Sequence, residues 1–241
     1  MSGHSKWSTI KRQKATTDQK KGQVFTKLAQ NIILAAKDGP DPEMNFKLRL
    51  AIDRARTMNM PQENIKRAIE RGAGTDNDVV LEEVLYEAYG PGGSAILIEC
   101  VTDNKNRTVT DVKQALQKNG GTFAGSGSVQ WKFEQKGQLV IEKRNLTMNE
   151  EELQLLLIEN GADDINIYDE TIEIITAPND LKKVQEILQG EKIELSDASL
   201  SYLPKTDMNV SDDDKSKINK LVEVFEEIDE VQQIYMDVNT D

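Results

Sequence analysis

The sequence predicts an α+β protein of three domains, and three observations support this fold class. Apolar residues recur at helical spacing through the first third of the 241-residue chain. They follow strand spacing from residue 84 onward. Beyond residue 138 the elements follow the order strand, helix, strand, strand, helix, strand, which is the ferredoxin-like arrangement. We therefore predict an N-terminal three-helix bundle, a middle α/β domain completed by the C-terminal helix and strand, and an inserted ferredoxin-like domain.

Three short amphipathic helices make up the predicted bundle. The first ends at Gly39, and the second begins at Asp41-Pro42, an acceptor cap followed by proline at the first helical position. The third begins at Pro61 and ends at Gly72. Because each helix has one apolar stripe and the loops are short, the three helices can bury these stripes only against one another.

The middle domain begins with strands at 84–89 and 95–102, which flank the motif Gly90-Pro91-Gly92-Gly93. We interpret this motif as a hairpin turn, since no helix follows whose N-terminus would hold a phosphate. A helix then begins at Thr108, and a further strand runs through Val129 and Phe133. The glycine-serine run at 125–128 is interpreted as a flexible turn.

The remaining elements fix the predicted domain limits. Strands at 139–142, 165–168, 172–176 and 192–202 and helices from Thr147 and at 179–188 complete the ferredoxin-like series. The tail adds a helix capped by Ser211 and Asp214 and a strand at 231–238, which together cannot bury their apolar faces alone. They must join the strand-rich segment at 84–134, and pairing within 138–204 would refute this prediction. The predicted limits are 1–23 for a basic arm, 24–75 for the bundle, 80–136 with 208–241 for the middle domain, and 138–204 for the inserted domain.

Charge is distributed unevenly along the chain. The net charge is −12, yet the residues up to Thr75 hold fifteen Lys plus Arg against seven Asp plus Glu, a balance of +8. The rest holds fifteen against thirty-five, a balance of −20. A polycationic arm on an acidic body indicates phosphate binding, because Lys and Arg displace counterions condensed on nucleic acid; the alternative is a solvated terminus. The candidate binding residues of the arm are Lys6, Trp7, Lys11, Arg12, Lys14, Lys20 and Lys21.

Cations on the second and third helices extend this basic region. At 100° per residue, Lys66, Arg67 and Arg71 fall opposite the apolar Ile65 and Ile69. The candidates on the two helices are Arg49, Arg54, Arg56, Lys66, Arg67 and Arg71. The segment also permits a helix-turn-helix interpretation, with Gln62, Asn64 and Arg67 near the start of a recognition helix. The alternative for each residue is an ordinary solvated helix face.

Several function classes are excluded or disfavoured by composition. No apolar run approaches the roughly 20 residues of a membrane span, and no apolar segment follows the basic N-terminus as in a secretory signal. The single histidine, His4, and the single cysteine, Cys100, leave no catalytic triad or zinc site to assemble. We expect a cytoplasmic protein that is not an enzyme, with no cofactor, metal, membrane or small-molecule substrate. We assign no oligomeric state from the sequence.

The motifs together carry a family resemblance. They are Gly3-His4-Ser5-Lys6-Trp7, Asn64-Ile65-Lys66-Arg67-Ala68-Ile69, Gly90-Pro91-Gly92-Gly93, Thr102-Asp103-Asn104 with Asn106-Arg107-Thr108, and Gly127-Ser128-Val129. In this order they closely resemble the YebC/PmpR family over essentially the whole chain. The resemblance implies the three domains described above and a cytoplasmic, non-enzymatic role in gene expression. It implies DNA-binding transcriptional regulation for bacterial members, whereas the related mitochondrial protein is a translational activator of cytochrome oxidase and bacterial relatives are also linked to the ribosome.

Three functional hypotheses follow. In the first, the chain is a DNA-binding transcriptional regulator whose arm and helix faces contact phosphates. In the second, it is a ribosome-associated translation factor whose arm enters ribosomal RNA, with Trp7 stacking on an unpaired base. In the third, the acidic ferredoxin-like domain is a protein-interaction scaffold. Our prediction is the class shared by the first two, a nucleic-acid-binding regulator of gene expression, with DNA regulation placed first.

Overall fold

The structure is a computed structural model that describes residues 18–75 and 80–238. This part of the chain contains seven α-helices and eight β-strands. The helices are α1 (Asp18–Ala36), α2 (Phe46–Thr57), α3 (Gln62–Glu70), α4 (Lys105–Lys118), α5 (Glu150–Glu159), α6 (Leu181–Gly190) and α7 (Asp212–Glu226). The strands are β1 (Glu82–Tyr89), β2 (Ala95–Thr102), β3 (Thr122–Ala124), β4 (Phe133–Glu142), β5 (Ala162–Ile167), β6 (Thr171–Thr176), β7 (Leu195–Pro204) and β8 (Val231–Met236).

Helices α1, α2 and α3 form the predicted bundle. Ile32, Leu48 and Ile65 lie fully buried at its centre, one from each helix. Each such side chain contributes about 1.5–3 kcal/mol when it leaves water. The same core cluster includes Leu81 and Val101 from the middle domain, so the bundle packs directly on its neighbour.

The second helix begins later than predicted, because Asn45 is its cap. The helix begins at Phe46 rather than at Asp41-Pro42. The Asn45 side-chain oxygen accepts from the Leu48 N–H at 3.1 Å, and its amide nitrogen donates to the carbonyls of Ala35 at 2.7 Å and Gly39 at 2.8 Å. One buried amide therefore caps α2 and also satisfies carbonyls at the end of α1, a contact that helical spacing does not reveal.

The middle domain is a four-stranded antiparallel sheet in the order β3-β1-β2-β8. Strands β1 and β2 join through the predicted Gly90–Gly93 hairpin, which contains a short 3-10 turn. Strand β8 pairs with β2 from Ile96 opposite Met236 to Cys100 opposite Val231. This pairing confirms that the C-terminal helix and strand complete the middle domain. Helix α7 begins at the predicted Ser211 cap, whose hydroxyl accepts from the Asp214 N–H at 3.2 Å.

The elements around α4 differ from the prediction in two places. The helix begins at Lys105 with Asn104 as its cap, rather than at Thr108. Thr108 is buried and donates its hydroxyl to Thr102 at 2.8 Å, so it ties the helix to β2 instead of capping it. After the helix, the short strand β3 at Thr122–Ala124, absent from the prediction, pairs with β1.

The inserted domain is a second four-stranded antiparallel sheet, in the order β5-β6-β4-β7. With α5 and α6 between its strands, it has the predicted ferredoxin-like arrangement. Both helices start later than predicted: Asn149 rather than Thr147 caps α5, and α6 begins at Leu181. The fold class predicted from sequence is confirmed.

A single strand, β4, replaces two strands that the sequence predicts. The segment at 130–132 is a 3-10 turn, and a single strand then runs from Phe133 through Glu142. It is continuous because β7 pairs with it from Phe133 opposite Pro204 to Ile141 opposite Leu195. The predicted limit between the middle and inserted domains falls inside this strand, and the domain limits as such stay a prediction.

The glycine-serine loop before this turn is anchored by a buried carboxylate. Glu87 of β1 is 3% exposed and accepts from the N–H groups of Gly127 at 2.5 Å, Val129 at 2.6 Å and Gln130 at 2.9 Å. Burial raises the pKa of the Glu87 carboxyl, but these backbone N–H groups outweigh burial and lower the pKa below its ordinary value. The loop interpreted as a flexible turn is therefore held to β1.

Candidate nucleic-acid interface

The predicted arm reaches the described structure only at its end. Lys6, Trp7, Lys11, Arg12 and Lys14 lie outside the described residues. Lys20 lies in the first turn of α1, and Lys21 follows it with an exposed side chain. The arm therefore joins the body at the N-terminal end of α1.

Helix α1 is fixed to the C-terminal part of the middle domain. Lys27 Nζ donates to the Glu226 carbonyl at 2.7 Å, and Asn31 Nδ2 donates to Gln232 Oε1 at 3.1 Å. Burial lowers the pKa of the Lys27 ammonium, while the nearby carboxylates of Glu226 and Asp229 act in the opposite direction. These contacts set the position from which the arm leaves the body.

Two of the predicted binding cations on α2 lie against other domains. Arg49 Nη2 lies 3.4 Å from Glu186 Oε1 of α6, and its guanidinium sits 5.4 Å from the centre of the Phe46 ring. Arg54 Nε lies 3.6 Å from Asp197 Oδ1 of β7, whose side chain is 2% exposed. The structure thus turns Arg49 and Arg54 toward the inserted domain.

Arg54 also contacts the middle domain. With its amide oriented so that the oxygen faces Arg54, Gln233 of β8 accepts from both terminal guanidinium nitrogens, at 3.0 and 2.9 Å. Nearby, the Tyr235 hydroxyl donates to Glu99 Oε2 at 2.6 Å. Burial raises the pKa of Tyr235 well above its ordinary value, and the Glu99 carboxylate adds to this. Arg54 therefore links all three domains through polar contacts.

Arg56 differs from its two neighbours on α2. Its side chain is 59% exposed, and Nη1 lies 3.5 Å from Asp53 Oδ1 in an i,i+3 pair. Burial raises the pKa of the Asp53 carboxyl, although Arg56 and Arg49 oppose this effect. Arg56 remains at the surface, where such a pair contributes little to stability.

The predicted face of α3 is exposed. Lys66, Arg67 and Arg71 are exposed, whereas Ile65 and Ala68 on the opposite side are buried. Lys66 Nζ lies 4.0 Å from Glu70 Oε1. The helix and its C-terminal cap residue, Arg71, thus place three cations on one solvent-facing side, as the spacing predicts.

Two of the three candidate recognition residues on α3 interact with each other. Arg67 Nη2 donates to Asn64 Oδ1 at 2.5 Å, which directs part of both side chains along the helix surface. Gln62 at the first helical position is exposed. A nine-residue helix with this internal contact offers few groups for reading base edges in a groove.

A cleft of about 500 Å³ lies between α1 and α3. Phe25, Thr26, Ala29 and Ile33 line it from α1, and Met60, Asn64, Arg67, Ala68, Glu70 and Arg71 line it from the other side. Two guanidinium groups therefore stand beside a partly apolar recess. The sequence prediction did not include these α1 residues in the interface; the polar Thr26 next to Phe25 in the sequence is the signal that one side of this helix is open.

Gly72 brings α3 close to α1 beside this cleft. A Cβ atom at this position would lie 2.3 Å from the Ile33 carbonyl oxygen, so no larger residue fits without a shift of backbone. The turn at Arg71–Thr75 follows α3 directly. Glycine here allows the close approach that places Arg71 next to α1.

Cys100 carries no sign of reactivity. It is fully buried in β2, and burial together with the Glu99 and Glu230 carboxylates raises the pKa of its thiol to about 12. The thiol therefore stays protonated at neutral pH, and Cys100 acts as a small buried apolar residue.

Among the residues that the structure describes, no helix combines the length and hydropathy needed to cross a lipid bilayer.

Two family models match the chain almost end to end. The model described as "TACO1/YebC protein N-terminal domain" matches residues 5–75, and the model described as "TACO1/YebC second and third domain" matches residues 81–238. The chain belongs to the TACO1/YebC family. This result confirms the resemblance to the YebC/PmpR family that the sequence motifs indicate.

Members of the TACO1/YebC family similar to this chain include curated and structurally solved proteins. A probable transcriptional regulatory protein of Pelotomaculum thermopropionicum is 46% identical, over 98% of this chain and 97% of that protein. Another, from Chloroflexus aggregans, is 47% identical, over 100% of this chain and 97% of that one. The crystal structure of a conserved hypothetical protein from Aquifex aeolicus matches with a TM-score of 0.86 and 38% identity, covering 93% of this chain and 92% of that one.

Proposed function

We propose that this TACO1/YebC protein regulates gene expression in the cytoplasm by binding nucleic acid, without enzymatic activity. The binding surface consists of the basic arm, the N-terminal part of α1 and the exposed face of α3. The observation that carries this proposal is the cluster of Lys66, Arg67 and Arg71 on one exposed face of the bundle, beside the helix into which the arm leads. Arg49 and Arg54 stay outside the proposed surface because their charges contact the inserted domain.

Electrostatics orients the molecule in this proposal. The residues after Thr75 have a balance of fifteen cations against thirty-five acids, so most of the body repels a phosphate backbone. Only the N-terminal region, with its balance of +8, attracts one. Lys11, Arg12 and Lys14 of the arm and Arg67 and Arg71 of the bundle would contact phosphates on adjacent parts of one target.

Transcriptional regulation through DNA is the first form of the proposal. It is supported by the relatives named probable transcriptional regulatory proteins, which align with this chain over nearly its whole length. In this form the arm and α3 contact the duplex backbone, and Gln62 is the residue of α3 placed to meet a base edge.

Translational regulation through ribosomal RNA is the second form. The observation that favours it is the hydrogen bond between Asn64 and Arg67, which engages two of the three candidate base-reading side chains of α3. A surface that offers mainly positive charge, with a long basic arm, suits a crevice between RNA segments better than sequence reading in a groove.

Cell fractionation separates the two forms. Co-sedimentation with ribosomes that survives DNase treatment and disappears on RNase treatment is expected for the ribosomal form, and it would overturn the DNA form. A shift of one promoter fragment at physiological salt, against excess competitor DNA, is expected for the DNA form and would overturn the ribosomal one. Binding to neither target would refute the proposal as a whole.

Neutralising the arm tests its part in binding. Replacing Lys11, Arg12 and Lys14 by Gln should flatten the dependence of log affinity on log salt by roughly 0.7 to 0.9 for each phosphate that the variant no longer neutralises. The matched control replaces the exposed Lys182, Lys183 and Lys192 of the inserted domain by Gln, which changes the net charge equally. Equal slopes for the arm variant and the wild-type protein would show that the arm does not bind phosphate.

A further inference from the structure

The cleft between α1 and α3 has a composition that phosphate binding alone does not require. Its apolar part comes from the half-buried Phe25 and Ala29 and the buried Ile33, Met60 and Ala68. A surface that only tracks a phosphate backbone needs cations and polar groups, not a recess lined by an aromatic ring and methyl groups. The apolar lining therefore calls for a ligand with a flat or apolar part.

The polar side of the cleft is cationic. Arg67 and Arg71 both line it, and Lys66 lies on the same exposed face of α3. The acid in the lining, Glu70, lies 4.0 Å from Lys66, which offsets its charge. A ligand for this cleft therefore combines an apolar plane with negative charge.

The position of the Arg67 guanidinium at the cleft is partly fixed before any ligand binds. The hydrogen bond from Arg67 to Asn64 uses one of the five N–H donors of the guanidinium and holds it at the edge of the recess. The remaining donors can bind a phosphate in a bidentate manner. Gly72 sets the spacing of the two helices, since a side chain there would push the α3 end away from the Ile33 carbonyl.

We infer that this cleft binds one unpaired nucleotide of a single strand, with the base against the Phe25 side and the adjacent phosphate at Arg67 and Arg71. The inference rests on the proposed nucleic-acid binding and adds its substrate class. Bases in a duplex expose only their edges, because their faces are stacked on neighbouring pairs. A recess that receives a base face therefore selects single strands over duplexes. Its volume of about 500 Å³ lies in the range of roughly 300–1,000 Å³ found for small-molecule sites.

The test compares three probes of about 12 nucleotides, a length within the site sizes of single-strand-binding proteins. They are fluorescently labelled oligo(A) RNA, oligo(dA) DNA and the oligo(dA)·oligo(dT) duplex, titrated with the full chain at one fixed salt concentration. We expect single strands to bind about tenfold to a hundredfold tighter than the duplex, the range that stacking of one base contributes. The two single-stranded probes distinguish an RNA source of the nucleotide from a DNA source.

Two variants assign the selectivity to the cleft. Ala29→Met fills the recess and Phe25→Ala removes its aromatic wall, and each should abolish the preference for single strands while duplex affinity is retained. Ala73→Met is the matched control, because Ala73 is exposed and does not line the cleft. Thermal unfolding of each variant shows whether it is folded. The exposed Arg67→Gln variant, which should weaken single-strand binding more than duplex binding, gives a second test that does not alter the core.

The outcomes separate this inference from the proposed function. Equal affinity for single strands and duplex, or a preference that survives both Ala29→Met and Phe25→Ala in folded protein, would overturn the inference and leave nucleic-acid binding intact. If none of the three probes binds and the protein binds neither ribosomes nor promoter DNA, the proposed function itself fails.

Discussion

The helical bundle has two flanks that carry the same types of side chain in different surroundings. On the docked flank, Lys27, Arg49 and Arg54 contact groups of the other two domains. On the open flank, Lys66, Arg67 and Arg71 are exposed beside the cleft. A cation on a helix therefore has no fixed role, since the neighbours that tertiary structure supplies decide whether it joins domains or meets a ligand.

Burial explains why the two flanks cannot exchange roles. Arg54 pairs with Asp197, whose side chain is 2% exposed, so removal of either partner leaves a charge in a poorly solvated site. Lys66 and Glu70 are 69% and 56% exposed, and water replaces their interaction when one of them is removed. Stability should depend on the docked flank and binding on the open one.

The largest effect is expected for Arg54→Met. It should lower the free energy of unfolding by about 3 kcal/mol, because the Asp197 carboxylate loses its ion pair with Arg54 while it remains buried and keeps the hydrogen bond from the Ser199 hydroxyl at 3.1 Å. Urea denaturation with linear extrapolation measures the change. Arg56→Met is the matched control: its pair with Asp53 is exposed, and its effect should stay below about 1 kcal/mol. Equal losses of stability for the two variants would contradict the distinction between the flanks.

A smaller decrease in stability is expected for Gly72→Ala, which tests the close approach that forms the open flank. The new Cβ would lie 2.3 Å from the Ile33 carbonyl oxygen, and overpacking of this kind costs about 1–3 kcal/mol. Gly22→Ala in α1 provides the opposite case, since nothing lies within 4 Å of its Cβ and alanine should stabilise the helix by about 0.5–1 kcal/mol. Thermal unfolding of both variants checks the signs, and a neutral Gly72→Ala would show that α1 and α3 separate readily.

The smallest effect on stability is expected for the double variant Arg67→Gln and Arg71→Gln. The free energy of unfolding should change by less than about 0.5 kcal/mol, because both side chains are at the surface. The slope of log affinity against log salt should fall by roughly 0.7 to 0.9 for each phosphate that is no longer neutralised. Titration of a labelled oligonucleotide at several salt concentrations measures this slope. Lys182→Gln with Lys183→Gln removes the same charge from the inserted domain, and a similar decrease there would show that net charge alone governs binding.

Most of the architecture could be predicted from the sequence, because the spacing of apolar residues and the composition of each segment directly indicate its local structure. The predicted closure of the middle sheet followed from an apolar tail helix and strand that had no other sheet to join, and β8 does pair with β2. The first residue of each helix was harder to predict. Asn45 caps α2 because it also reaches Ala35 and Gly39, and such a choice between neighbouring cap residues depends on contacts outside the helix.

The candidate interface could be predicted from the sequence only in part. The exposed side of α3 followed from its 100° periodicity, since the apolar Ile65 and Ala68 define the opposite side. Helical periodicity does not separate Arg49 and Arg54 from the surface cations, because their partners Glu186 and Asp197 lie far along the chain in the inserted domain.

The sequence by itself determined the element types, the three-domain fold class, the family and the concentration of positive charge in the N-terminal region. Each depends on residue order or on local periodicity, which a linear chain contains in full. The tertiary structure alone decided which cations are engaged between domains and which surround the cleft between α1 and α3. Those roles depend on burial and on distances between residues remote in the chain, and these are fixed only when the domains pack against one another.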